Sequence, residues 1–168
     1  MPFTTEDNLK SAFAGESQAN RRYLFFAEKA EKDGYPQVAR LFLAAAEAET
    51  VHARNHFAAM DGIGSTADNV MTGVIGEHQE FTQMYPGFIA EAEAENNQRA
   101  LESFDYANKV EQIHYGYFLK MSEALKSGQP LKDEPYFVCP CCGNTVAGTA
   151  PDKCPICATP SSKFKRID

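Results

Sequence analysis

Cysteine is missing from the first 138 residues of this 168-residue chain. Cationic residues are in the minority, 16 Lys and Arg against 23 Asp and Glu, for a formal net charge of −7. That balance excludes sequence-independent nucleic-acid binding, which needs clustered cations to displace the counterions of phosphate. No run of about 18 uncharged apolar residues exists, so no segment is expected to span a membrane. The opening stretch MPFTTEDNLK lacks the basic-then-apolar layout of a secretory signal. These absences predict a cytoplasmic protein. In a reducing compartment, five cysteines confined to residues 139–157 point to metal rather than disulfides.

What is present falls into two unequal parts. Residues 4 to about 127 carry helical signals almost throughout. A first helix starts at Thr4/Thr5, with acidic residues behind them, and stops at DGYP, 33–36. Pro36 suits the first turn of a second, which should end near DGIG, 61–64. A third is expected from about 67 to 95, kinked where Pro86 removes a backbone donor. A fourth runs from about 97 to SGQP, 127–130. Four long helices predict an all-α four-helix bundle over residues 1–130. Residues 131–168 have four prolines between 140 and 160 and no helical period. A segment that short cannot build its own core, so a metal is the expected staple of a small C-terminal domain.

The bundle carries an anomaly. In AETVHARNH, 48–56, Glu49 and His52 continue the stripe occupied by Val38, Phe42 and Ala45. An ionised carboxylate buried without a partner costs several kcal/mol or more. The first helix does the same with Leu9, Phe13, Glu16, Asn20, Tyr23, Ala27 and Ala30. So does the third with Val70, Gly73, Glu77, Glu80 and Met84, and the fourth with Phe104, Ala107, Glu111, His114, Phe118, Met121 and Leu125. The pattern repeats: AGE at 14–16 and AETVH at 48–52 return as IGE at 75–77 and VEQIH at 110–114. One Glu from each of two helices and Glu-x-x-His from the other two is the di-metal carboxylate pattern of ferritin-like bundles. Residues i and i+3 share a helix face, so Glu49 with His52, and Glu111 with His114, can each surround one metal. Carboxylates with one imidazole per metal suit iron or manganese. The five glutamates sum to −5, against +4 for two divalent or +6 for two trivalent ions, so the metals make the inward charges tolerable.

Glu80 breaks the symmetry, because its repeat-mate is Ala19; the two metals should be inequivalent, with a labile seventh ligand on one. His56 reads better as a core or rim residue than as a ligand, and His78 is rotated about 100° from Glu77, away from the metals. Tyr23 and Tyr85 either pack as plain core or hydrogen-bond to ligand carboxylates. Beyond the bundle, CPCC at 139–142 and CPIC at 154–157 form two C-x2-C knuckles. Cys139, Cys142, Cys154 and Cys157 can offer four thiolates tetrahedrally, with Gly143 relieving a turn and Cys141 left over. Spacing alone does not separate structural zinc from redox-active iron.

The motifs AGESQANRRY, AETVHARNH, GEHQEFTQMYP, VEQIH and CPCCGNTVAGTAPDKCPIC stand in the order that the rubrerythrin family has them. The chain resembles that family along essentially its whole length. The resemblance implies a ferritin-like bundle with two non-haem, carboxylate-bridged iron ions, fused to a rubredoxin-like domain whose iron is held by four cysteines. It implies Glu16, Glu49, His52, Glu77, Glu80, Glu111 and His114 as di-iron ligands, with His52 and Glu80 exchanging on one iron between redox states. Tyr23 and Tyr85 fall where the family has tyrosines beside the metals; Cys141 is a departure. The implied activity is reduction of hydrogen peroxide to water, a defence against oxidative stress. Its electrons would come from a donor such as a rubredoxin or an NAD(P)H-dependent reductase.

In a ferritin-like fold helices two and three run parallel, so their connection must climb the bundle. The gap comes to roughly 30 Å, while residues 61–66 span at most roughly 25 Å. This predicts a domain-swapped homodimer in which helices one and two of one chain pair with three and four of another. The alternatives are a ferroxidase or iron-storage bundle and a plain electron-transfer or zinc-ribbon docking protein. The cysteine module weighs against the first, and the seven inward ligands against the second.

Overall fold

The computed structural model describes residues 4–168; Met1, Pro2 and Phe3 of the polar N-terminal stretch lie outside the described residues. Helix α1 spans Thr5–Lys32 and is opened by a reciprocal cap. The Thr4 hydroxyl accepts from the Asp7 amide at 3.1 Å, and the Asp7 carboxylate accepts from the Thr4 amide at 2.9 Å. Asp33 and Gly34 end it, and Pro36 begins α2, Pro36–Ala59, where a missing N–H costs nothing. Ala19, Ala27, Ala30, Ala39 and Ala46 are buried along this hairpin, so its backbones approach closely. Phe13 stacks on Phe57 with ring centroids 4.8 Å apart, and Tyr23, Phe26 and Phe42 form a second aromatic group. Phe25, Val38, Leu41, Leu43 and Val51 of the hairpin are exposed, Val38 on the very stripe that carries Glu49 and His52.

The chain divides into two compact units between Gly64 and Ser65. The second opens with α3, Thr66–Gln79, capped reciprocally by Ser65 and Asp68. The irregularity expected at Pro86 takes the form of a π-helical segment, Glu80–Met84, just ahead of it, followed by α4, Tyr85–Ala94. The Tyr85 amide reaches back five residues to the Glu80 carbonyl, an extra residue in the turn before a proline that cannot donate. Helix α5, Gln98–Ser127, ends at Gly128 in the left-handed conformation. It packs close to α3: a β-carbon on Gly73 would lie 3.0 Å from the Phe118 ring.

Residues 136–167 form a three-stranded antiparallel sheet in the order β2-β1-β3, from β1 Tyr136–Val138, β2 Thr145–Ala147 and β3 Lys165–Ile167. Cys139, Cys142 and Cys154 are its buried centre, with Ile156 and Phe164 of the module and Tyr106 of α5 packed against them. The elements are those expected of a ferritin-like bundle with a rubredoxin-like module: four long helical stretches, paired as α1 with α2 and as α3 and α4 with α5, then the small sheet around the cysteines. Among the described residues no helix is long and apolar enough to cross a membrane.

Candidate metal centres

Glutamate and histidine side chains gather into two triads, one in each unit. In the first, Glu16 of α1 meets Glu49 and His52 of α2, with one ligand atom from each lying within 4.8 Å of the others. His52 Nδ1 is 2.9 Å from Glu49 Oε2, as the i, i+3 spacing requires. In the second, Glu77 of α3 meets Glu111 and His114 of α5 in the same way, with His114 Nδ1 2.8 Å from Glu111 Oε2 and 3.6 Å from Glu77 Oε2.

The second triad is short of positive charge. Burial, a hydrogen bond with Glu111, and the charges of Glu111 and Glu80 push the Glu77 carboxyl up to about 8. Its Oε2 is buried with no hydrogen-bond partner among the described residues. An oxygen left in that condition is suited to a cation. Glu80, at the start of the π segment, is not one of the three clustered ligands but lies close enough to interact electrostatically with Glu77, Glu111 and His114. Burial and Glu111 raise its carboxyl while His114 lowers it. Tyr85 faces the same charges: burial, then Glu111, Glu80 and Glu77, raise its phenol, and its ring packs against Phe88 and Phe104. Tyr23 sits among Phe26 and Phe42 in the hairpin. His56 is half-buried and outside both triads, and His78 is exposed against Phe81 and Tyr115.

The cysteines form a third cluster. The Sγ atoms of Cys139, Cys142, Cys154 and Cys157 all lie within 4.8 Å of one another, the closest pairs at 3.5 Å, and no disulfide joins them. A tetrahedral ion with bonds of about 2.3 Å would set its sulfurs about 3.8 Å apart, so the cluster has the right size. The two knuckles are near-copies. Gly143 donates to the Cys139 carbonyl at 3.0 Å, and Ala158 to that of Cys154 at 2.9 Å, both with positive φ. Burial pushes the Cys142 thiol up, whereas at Cys157 burial is outweighed by hydrogen bonds from Thr159, which bring it down to about 6. Cys141 is exposed and outside the four, although a hydrogen bond with Cys157 raises its thiol.

The family models described as "Rubrerythrin" and "Rubrerythrin, rubredoxin-like domain" match residues 7–122 and 137–165. The chain belongs to the rubrerythrin family. It is 34% identical to Rubrerythrin-2 of Clostridium acetobutylicum, over 96% of this chain and 95% of that one. It is 37% identical to rubrerythrin of Porphyromonas gingivalis, over 96% of this chain and 88% of the relative. Among solved structures, nigerythrin in its fully reduced, all-ferrous state matches with a TM-score of 0.58 at 32% identity, covering 99% of this chain and 88% of that one.

Two polar groups beside the triads escaped sequence reasoning. Asn20 lay on the seam without a role; it is buried and donates to the Ala46 carbonyl at 2.6 Å and to the Thr50 hydroxyl at 2.9 Å. Thr145, in β2, places its Oγ1 2.9 Å from His114 Nε2. No periodicity links residues 31 apart on a helix and a strand, so Thr145 had no signal to find.

Proposed function

We propose that this member of the rubrerythrin family is a non-haem di-iron peroxidase that reduces hydrogen peroxide to water. Iron held by Cys139, Cys142, Cys154 and Cys157 would relay the electrons. The carrying observation is that the cysteine module is fastened to the helix bearing His114, with the Thr145 hydroxyl against the His114 ring. Storing iron needs no such attachment; feeding electrons to a ligand's metal does. On this reading residues 1–130 house the reaction and residues 131–168 supply it.

Glu16, Glu49 and His52, with Glu77, Glu111 and His114, would hold the two irons, and Glu80 would be the seventh ligand, alternating with His52. When bound, the metals supply the two electrons that split the O–O bond; two protons complete the two waters. Tyr85, its phenol raised by burial and by the charges of Glu111, Glu80 and Glu77, stays protonated at neutral pH and would donate to ligand carboxylates, and Tyr23 would take the matching role on α1. The thiols require a reducing compartment, which supports the cytoplasm, with a rubredoxin or an NAD(P)H-dependent reductase as donor.

The assembly we infer is a domain-swapped homodimer, in which α1 and α2 of one copy meet α3 and α5 of the other. Two features support it. Only six residues, 60–65, separate α2 from α3, and the hairpin of α1 and α2 leaves large apolar side chains exposed.

Iron-loaded protein, reduced and supplied with donor, should consume hydrogen peroxide catalytically and faster than dioxygen. A visible spectrum of thiolate-bound iron should bleach and recover with turnover. Stoichiometric iron oxidation by dioxygen would favour a ferroxidase instead, and zinc at the four cysteines would remove the relay.

A further inference from the structure

The Thr145 hydroxyl has a single proton and two atoms within reach, the Gly143 carbonyl oxygen and His114 Nε2. Oγ1 lies 3.1 Å from the Gly143 carbonyl, which can only accept, so the hydroxyl donates there. With the hydroxyl proton on that carbonyl, the 2.9 Å contact to His114 Nε2 is one in which the oxygen accepts and the ring donates, the tautomer that leaves Nδ1 free for a metal. With the proton on Nε2, the Nδ1 atom carries a lone pair, and it faces Glu111 Oε2 at 2.8 Å and Glu77 Oε2 at 3.6 Å. A lone pair set against two carboxylate oxygens is the donor set of a cation site. The strand is held in register for this task, because the amide of Ala147, two residues on, donates to the Tyr117 hydroxyl at 3.0 Å. Tyr117 is three residues past His114, on the same side of α5.

We propose that Thr145 is a positioning residue for His114: a side chain of the cysteine module selects the imidazole tautomer and aims its metal-binding nitrogen. This rests on the reading of Glu77, Glu111 and His114 as metal ligands. The link then runs from Cys142 through the adjoining Gly143 carbonyl and the Thr145 hydroxyl to the His114 ring, so two hydrogen bonds couple the module to the histidine. An outer hydrogen bond of this kind typically contributes about 10–100-fold to metal affinity.

The test uses the full-length, zinc-loaded chain labelled with 15N, together with Thr145→Val and Thr145→Ser. In the wild type the His114 ring should show a proton on Nε2 protected from exchange with water. Thr145→Val should lose that protection and bind zinc at the histidine–glutamate site about 10–100-fold more weakly. Thr145→Ser should restore both, and zinc at the four cysteines should be retained throughout as the check on folding. A zinc-bound wild type without a protected Nε2 proton would overturn the assignment. So would equal affinity in Thr145→Val, or failure of Thr145→Ser to rescue. Should Thr145→Val not fold, the wild-type resonance and the serine variant decide. No zinc at the Glu77–Glu111–His114 site in the wild type would overturn the metal reading itself, and the tautomer assignment with it.

Discussion

The buried side chain of Asn20 on α1 donates to the carbonyl of Ala46 on α2 at 2.6 Å, one turn from Glu16 and one turn from Glu49. The same amide reaches the Thr50 hydroxyl at 2.9 Å, so a single residue ties together the two helices that carry the first triad. Asn20→Ala should destabilise the metal-free chain by about 1–3 kcal/mol, read as a lower urea midpoint. Asn20→Asp should cost more, because it turns a carboxylate oxygen toward a carbonyl. An unchanged midpoint in both would mean the bond contributes nothing.

The Glu77 carboxyl gives the metal-free protein a pH dependence of definite sign. Its ordinary value of 4.5 rises to about 8 in the fold, so between those limits the folded chain keeps a proton that the unfolded chain has released. Stability from this group is therefore full below about 4.5 and falls as pH rises toward 8. Metal binding must displace that proton, so affinity at the second triad should climb by up to about tenfold per pH unit until near 8. Competition titrations at pH 6 and pH 8 measure this, and Glu77→Gln should flatten the dependence while weakening binding.

The swapped arrangement predicts complementation between defective chains. One variant would lose Glu16, Glu49 and His52 as ligands, the other Glu77, Glu111 and His114. Neither alone should build a complete pair of metals. In a swapped heterodimer one site takes both damaged halves and the other both sound ones, so about half of its sites should load iron. Co-expression followed by isolation of the heterodimer and iron analysis tests this; an unswapped dimer would load none.

Cysteine substitutions should sort the fifth thiol from the other four. Cys141→Ser should keep the metal, whereas Cys139→Ser or Cys154→Ser should abolish the visible absorption of thiolate-bound iron, since both are buried ligand candidates. Binding metal must displace protons from the thiols, above all from Cys142, which burial raises, so acidification should weaken the module's hold on its metal until it is released. The three strands should then lose hydrogen-exchange protection, because their buried centre is the cysteines themselves.

Ala158 holds φ at +62°, where the first knuckle uses Gly143 at +81°. A β-carbon in the left-handed region costs roughly 1–2 kcal/mol. Ala158→Gly should recover about 1 kcal/mol of this, slowing metal transfer from the cysteines to a chelator about fivefold. An unaltered transfer rate would show that the knuckle carries no such strain.

How far the sequence could be read depends on the range of the interactions concerned. The capping box at Thr4, the start of α2 at Pro36 and the Glu49–His52 and Glu111–His114 pairs are set by residues three or four positions apart, so helical geometry alone prescribes them. The repeat brought Glu16 and Glu77 into the same scheme. Where several weak effects compete locally, sequence reasoning found the place but not the form: at Pro86 it expected a kink, and the chain accommodates the missing donor with a π segment beginning at Glu80.

By itself, the sequence determined the helices, the carboxylate–imidazole pairs at i, i+3 and the two cysteine knuckles, because helical pitch and the closing of a thiolate turn impose constraints within a few residues. Only the tertiary structure decided that Thr145 meets His114 and that Glu77 stands against Glu111 with an unpartnered oxygen. Those contacts join residues 31 and 34 positions apart, and no local periodicity encodes which side chains packing will bring face to face.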